Sequence, residues 1–300
     1  MSDEKMPPGE RPSLPSESPA PSSGRPGGAA HVHSSFYRFV PLPDPLAVAA
    51  RLRELVDGLG GNILVAAEGI SGAIGGLPGV LKAFEHALQD DPLFGDAFKG
   101  MVFKHSACTT KPFHLIKVHC KPEIVAFGVD GVSGLPDPAR PDTHVRPERW
   151  RELIAEPDVL VLDNRNSFEY RLGRFANAVD PEVRHFRDFP AYVESHADQW
   201  KAEGKRIAMY CTGGIRCEKT SAWMQDQGLT VYQLEGGILN YFQAMPDADA
   251  DWQGECFVFD KRIAIDTHLQ ETATTAEQVY ENEPDGEWRL ARAKRLDPGS

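Results

Sequence analysis

The sequence has no apolar run approaching the ~18 residues that mark a membrane-spanning helix. Its first residues are polar and rich in Pro and Ser, without the apolar stretch of a secretory signal. A cytoplasmic location without a membrane partner is therefore expected. Cysteine is scarce. Five thiols in 300 residues cannot build a disulfide framework, and an odd number leaves one unpaired. No Cys-x-x-Cys pair supports a structural zinc site, so no metal centre is expected. The Gly-x-Gly-x-x-Gly fingerprint of nicotinamide and flavin binders is missing too, and no bound cofactor is identified. Positive charge is in the minority: 32 Lys and Arg face 44 Asp and Glu, for a net charge of −12. That balance argues against non-specific wrapping of nucleic acid, DNA included, which needs a cationic surface to displace counterions.

What is present is an ordinary globular composition, 41% hydrophobic and 25% charged, in a chain long enough for about two domains. Residues 1–34 hold almost no large apolar side chain and read as a disordered tail. Within it, His31 and His33 lack a third partner for a metal site. Residues 35–130 form the first domain: a strand at Ser35–Val40, a helix from Pro45 stopped at Gly60-Gly61, and a strand at Ile63–Ala67. A short return strand follows at Ala73-Ile74, then a helix at Leu77–Leu88 and strands at Phe113–Val118 and Glu123–Phe127. This β-α-β-β-α-β order predicts a ferredoxin-like sandwich. Between Ala97 and Lys121 the sequence carries Lys99, Lys104, Lys111, Lys117 and Lys121 and no acidic residue. Lys104, Lys111 and Lys117 are candidate RNA contacts; a lysine-guarded strand edge is the competing explanation.

A Pro-rich linker spans 131–146, and a second domain spans 147–246, followed by a C-terminal extension over 247–300. Strands at Val159–Leu162, Arg206–Tyr210 and Thr230–Gln233 alternate with helices, one of them at Arg216–Gln227, which predicts a parallel α/β sheet. Sites in such sheets lie beyond the carboxyl ends of strands, where Asp163 and Cys211 fall.

Cys211 opens the loop Thr212-Gly213-Gly214-Ile215-Arg216 into a helix. Successive N–H groups in such a turn form an anion-binding nest, and the helix adds the positive end of its dipole. Both favour a thiolate, or a persulfide whose outer sulfur is anionic. Gly213 and Gly214 would let the backbone curl without a Cβ clash. Arg216 would close the loop by pairing with a carboxylate, for which Asp163 is the natural candidate. Cys217 is a candidate resolving thiol, with packing on the helix face as its other role. Arg171, Arg174 and Arg187 lie between Asp163 and Cys211, where they could meet phosphates. Phe168, Tyr170, Phe186, Phe189 and Tyr192 could stack on a base or simply pack.

The segment Tyr210-Cys211-Thr212-Gly213-Gly214-Ile215-Arg216-Cys217-Glu218-Lys219 resembles the rhodanese-like tRNA uridine-34 hydroxylases. So do Phe36-Tyr37-Arg38-Phe39, Glu68-Gly69-Ile70, Pro112-Phe113-His114, Asp188-Phe189-Pro190-Ala191-Tyr192, Gly236-Gly237-Ile238 and Gly254-Glu255-Cys256-Phe257-Val258-Phe259-Asp260, in order. The resemblance spans about 35–268. It implies an acylphosphatase-like (ferredoxin-like) domain followed by a rhodanese domain, and conversion of the tRNA wobble uridine to 5-hydroxyuridine. It also implies molecular oxygen as co-substrate, a separate and unidentified electron donor, and Cys211 as the cysteine able to carry a persulfide. The sequence departs from that family at Asn164, Ser71 and Ala73, and it has no cysteine after His268. Loop chemistry alone is equally consistent with a persulfide-carrying sulfurtransferase. A non-catalytic tRNA- or protein-binding module is a third reading, opposed by the intact Cys211 and Arg216.

Overall fold

In the computed structural model, which describes residues 31–296, the N-terminal domain is a five-stranded mixed sheet with two helices on one face. Its elements are β1 (His31–Phe39), α1 (Pro45–Leu55), β2 (Gly60–Ala66), β3 (Gly69–Gly76), α2 (Pro78–Asp90), β4 (Lys104–Cys108) and β5 (Ile116–Cys120). The strand order is β4-β1-β3-β2-β5. All neighbours are antiparallel except β2 and β5. Val48, Ala49 and Leu52 of α1 and Leu81, Phe84 and Leu88 of α2 bury their apolar stripes against Phe36, Ile63, Val65, Ile70 and Ile74 of the strands. The opposite face carries Tyr37, Phe39 and Ala66, which pack against Ile124, Leu135 and Ile215. Ile215 belongs to the second domain, so this face is where the two domains meet.

The ferredoxin-like order holds, with differences in detail. The first strand starts at His31, so 31–34, expected in the tail, are part of β1; the rest of that tail lies outside the described residues. His33 is buried against Asp260, 3.5 Å away, which ties this end of the strand down. Gly60-Gly61, expected to stop a helix, open β2 instead, because α1 ends at Leu55. The return strand runs over all of Gly69–Gly76. Glu123–Phe127 forms no strand. Carboxylates take its amides: Glu68 accepts from the Ile124 N–H at 2.9 Å, and Glu123 from the Phe127 and Gly128 N–H groups at 3.3 Å each.

The second domain comprises β6 (His144–Val145), α3 (Pro147–Leu153), β7 (Val159–Asp163), α4 (Ser167–Leu172), β8 (Gly173–Phe175), α5 (Phe189–Ala202), β9 (Arg206–Tyr210), α6 (Ile215–Asp226), β10 (Thr230–Leu234) and α7 (Gly237–Ala244). Four strands form a parallel sheet in the order β6-β10-β9-β7. The period-2 alternation of a strand sends Ala208 and Tyr210 into one core layer and Ile207 and Met209 into the other. The end of the expected linker is thus already strand, since His144 and Val145 pair with Gln233 and Leu234.

The C-terminal extension is structured over its described part: β11 (Trp252–Gly254), β12 (Cys256–Phe257), β13 (Ala264–Ile265), α8 (Ala276–Tyr280) and α9 (Gly286–Leu296). Tyr280 and Phe257 pack on Phe168 of α4. Arg262, paired with Asp260, reaches the Ser106 hydroxyl of β4 at 2.7 Å. The extension therefore touches both domains. Among the described residues no helix is long and apolar enough to cross a membrane.

Lys219 of α6, fully buried, crosses the domain boundary. Its ammonium lies 2.9 Å from Glu68 Oε1 and 2.6 Å from Glu123 Oε1, both in the N-terminal half. Breaking a wholly buried ion pair costs about 3–5 kcal/mol. Glu123 keeps 25% of its side chain exposed, so the loss here should fall to about 2–3 kcal/mol after screening. Lys219→Ala is expected to lower the unfolding free energy measured in urea by that amount, with a lower midpoint, while Lys117→Ala on the exposed edge strand stays within about 0.5 kcal/mol of wild type. Equal midpoints for the two variants would contradict this role for Lys219.

Candidate active site

β7 and β9 run parallel with Asp163 opposite Tyr210, so Asp163 and Cys211 leave the sheet side by side at its carboxyl edge. Tyr210 is anchored by edge contacts with Phe175 and Trp150, at centroid separations of 4.9 and 6.3 Å. That anchor fixes where the next residue points. Cys211 has no exposed surface. The Gly214 N–H donates to its Sγ at 3.1 Å, and the N–H groups of Arg216 and Cys217 also face the sulfur. These amides form the mouth of α6, whose dipole adds to them.

Gly214 has φ 100, and a methyl group there would stand 2.8 Å from the Tyr37 hydroxyl. Gly213 has open space around it and no left-handed φ, so the curl expected of both glycines rests on Gly214 alone. A second demand falls on Gly237, with φ 69; its Cβ would lie 2.4 Å from Cys211 O and 2.8 Å from Gly214 N. The Gly236-Gly237 turn is pressed against the cysteine loop and fastened there. Ile238 N–H donates to Cys211 O at 3.0 Å and Leu239 N–H to Thr212 O at 3.1 Å.

Burial by itself pushes the Cys211 thiol up, but it is outweighed by a hydrogen bond from the Cys217 thiol, the Arg216 charge and the two backbone amides. The result lies well below the ordinary cysteine range. Cys217 moves the opposite way, raised by burial and by the neighbouring Cys211 charge. It is placed as a donor to a thiolate. Asn164 stands behind it, 2.8 Å from Thr220 Oγ1 and 3.8 Å from Cys217 Sγ, which gives this departure from the family pattern a place in the loop's support.

The partner expected for Arg216 is corrected by the structure. Arg216 pairs in a fork with Glu169, both N–O distances being 2.9 Å, and Asp163 pairs instead with Arg165 at 2.8 and 2.6 Å. Asp163 sits at the sheet edge facing the guanidinium two residues on, while the first turn of α4 aims Glu169 at the cysteine loop. Burial raises the Glu169 carboxyl, yet the Arg216 charge and hydrogen bonds bring it below its usual value. The sequence did contain a signal for Glu169: Asn166 with a Glu three residues later matches a capping box, and one half of it forms here, the Glu169 carboxylate accepting from the Asn166 N–H at 3.1 Å. Tyr37, the other participant not foreseen, comes from the N-terminal domain.

The candidate RNA contacts are distributed unevenly. Lys117 and Arg187 are exposed and Lys111 is half-buried. Arg171 is held by Glu283, and Arg174 lies 4.9 Å over the Tyr170 ring. Lys104 is turned inward, its ammonium donating to Gly213 O and Gly236 O. Phe168 and Phe189 are core residues, so packing describes them. Among the described residues no group of three His, Cys, Asp or Glu side chains is arranged to hold a metal ion.

Comparison with known proteins matches two separate stretches of the chain. Residues 31–124 match the UPF0176 acylphosphatase-like domain and residues 146–244 the rhodanese-like domain. A Legionella pneumophila protein named tRNA uridine(34) hydroxylase is 40% identical over 256 residues, covering 83% of this chain and 96% of that protein. Proteins of the same name from Synechococcus elongatus and Brucella anthropi are 44% and 41% identical, over 79% and 80% of this chain and 86% and 76% of theirs. A solved rhodanese-related protein from Thermoplasma volcanium is 23% identical, covers 35% of this chain and 94% of its own, and gives a TM-score of 0.27.

The cradle makes a measurable demand. A depressed thiol stays ionised as pH falls below the unperturbed value of about 8.5 and gains its proton only below its own lowered value. The ultraviolet thiolate absorbance, taken as wild type minus Cys211→Ser, is expected to titrate well below the free-cysteine value. Arg216→Met removes a neighbouring cation and should move that transition upward by about 1–3 pH units. Arg171→Met should leave it in place. A wild-type transition at the free-cysteine value would contradict the thiolate assignment.

Proposed function

The chain belongs to the tRNA uridine(34) hydroxylase family, and on that premise we propose that it hydroxylates the wobble uridine of tRNA to 5-hydroxyuridine in the cytoplasm, with Cys211 as the reactive group. The observation carrying this reading is the 40% identity to a protein of that name over 256 residues, which takes in both domains and the cysteine loop. The thiol held as an anion by peptide dipoles supplies the chemistry such a loop needs.

In this reading Cys211 works as a thiolate and can bear a persulfide in the same nest of N–H groups. Thr212, Gly213, Gly214, Ile215 and Arg216 shape the nest, and Asp163 holds Arg165 over the ring of Tyr210, the residue before Cys211. Cys217 donates to the anion and is the candidate resolving thiol. Molecular oxygen is the co-substrate, and the electrons come from a donor outside the chain. The target base has to leave its stack to reach a group buried at a sheet edge, as in other enzymes that modify a base. Lys111, Lys117, Arg174 and Arg187 are proposed contacts to tRNA phosphates, supported by the run of lysines without acidic neighbours. Arg171, already ion-paired, would first have to leave Glu283.

Mass spectrometry of tRNA nucleosides from a strain lacking this protein tests the reading. Wobble 5-hydroxyuridine should fall, return with the wild-type gene and stay low with Cys211→Ala. Unchanged nucleosides in the deletion strain would remove the proposed activity. Full rescue by Cys211→Ala would remove the role of the thiol.

A further inference from the structure

Lys104 opens β4, opposite Ser35 of β1, and its ammonium stands 5.5 Å from the centre of the Tyr37 ring. Its head reaches out of the N-terminal domain to two carbonyls of the second, Gly213 O and, at 2.9 Å, Gly236 O. Gly213 O belongs to the same peptide unit as the Gly214 N–H, and that N–H donates to Cys211 Sγ at 3.1 Å. A trans peptide is planar, with its C=O and N–H pointing in opposite directions. A cation gripping the oxygen therefore sets the direction of the hydrogen. The residues on either side of this unit are both glycine, which leaves it the freest peptide in the loop. Rotated, it would present a carbonyl dipole to the thiolate in place of an N–H.

We propose that Lys104 is a positioning residue for Cys211: it holds the Gly213–Gly214 peptide so that its N–H faces the sulfur, making the N-terminal domain part of the apparatus that keeps the thiolate. The second bond, to Gly236 O, fixes the same ammonium to the turn pressed against the cysteine loop, so peptide and turn share one anchor. Tyr37 shapes the path from the other side, its hydroxyl abutting Gly214 and its ring beside the ammonium. Burial lowers Lys104 to about 8, with Cys211, Glu218 and Glu235 pulling it back up, so it remains mostly cationic at neutral pH. This gives Lys104 a different task from the phosphate contact expected of it. It rests on the reading of Cys211 as the reactive thiolate.

The test uses the full chain with Lys104→Met, Lys104→Arg and, as a surface control, Lys82→Met on the exposed side of α2. Two quantities are measured: the Cys211 thiolate absorbance against pH, and the affinity for unmodified tRNA. Lys104→Met is expected to raise the Cys211 transition by about one pH unit, a tenfold loss of thiolate at a fixed pH below it, with tRNA affinity unchanged. Lys104→Arg should recover most of that shift, and Lys82→Met should change neither quantity. Lys104→Gln, which keeps a donor without the charge, is read in the same way if Lys104→Met does not fold. An unmoved transition in folded Lys104→Met or Lys104→Gln, with or without weakened tRNA binding, overturns the proposal while leaving Cys211 as the reactive thiol. A wild-type transition near the free-cysteine value overturns both.

Discussion

A negative charge on a sulfur shut away from water is the constraint around which this molecule is arranged. Removing an ion from solvent costs several kcal/mol, and Cys211 has no exposed surface. What offsets that cost is a donating neighbour in Cys217, the Arg216 charge and then the N–H groups at the mouth of α6, where a left-handed Gly214 turns the chain. Arg216 contributes its charge from a fixed position, because both arms of its fork are held by Glu169.

The second domain alone does not account for the site. Tyr37 and Lys104 come from β1 and β4, and Ile215 of the cysteine loop packs into a cluster with Phe39 and Leu135. The described part of the C-terminal extension reinforces this arrangement through Arg262 on Ser106 and Tyr280 on Phe168. The sheet of the first domain is thus covered by helices on one face and by the cysteine loop on part of the other.

Much of this was legible in the sequence, because it depends on local patterns. The apolar runs of β7 and β9 and the Gly-rich step after Cys211 are each set by residues adjacent in the chain, and each fell where expected. The pairings that depend on where a side chain points after a turn were not legible. Asp163 looked like the partner of Arg216 because both lie at the sheet edge, yet the strand's last turn delivers it to Arg165 and the first turn of α4 delivers Glu169. β4 was missed because Lys104, His105 and Ser106 are polar and the strand lies at the sheet edge, where little apolar pattern is required. The same alternation that hid the strand is what points Lys104 at the second domain.

Lys219 lies in the helix that begins at the cysteine loop, yet both carboxylates that neutralise it belong to the other half of the chain. A cation in that position makes neither half self-sufficient. A rhodanese module excised on its own would carry a lysine with no counter-ion, and the remaining half would hold two neighbouring acids with nothing between them. The two modules are consequently poor candidates for independent shuffling, and a change on one side of the boundary has to be matched on the other for the pair to be inherited as a working whole.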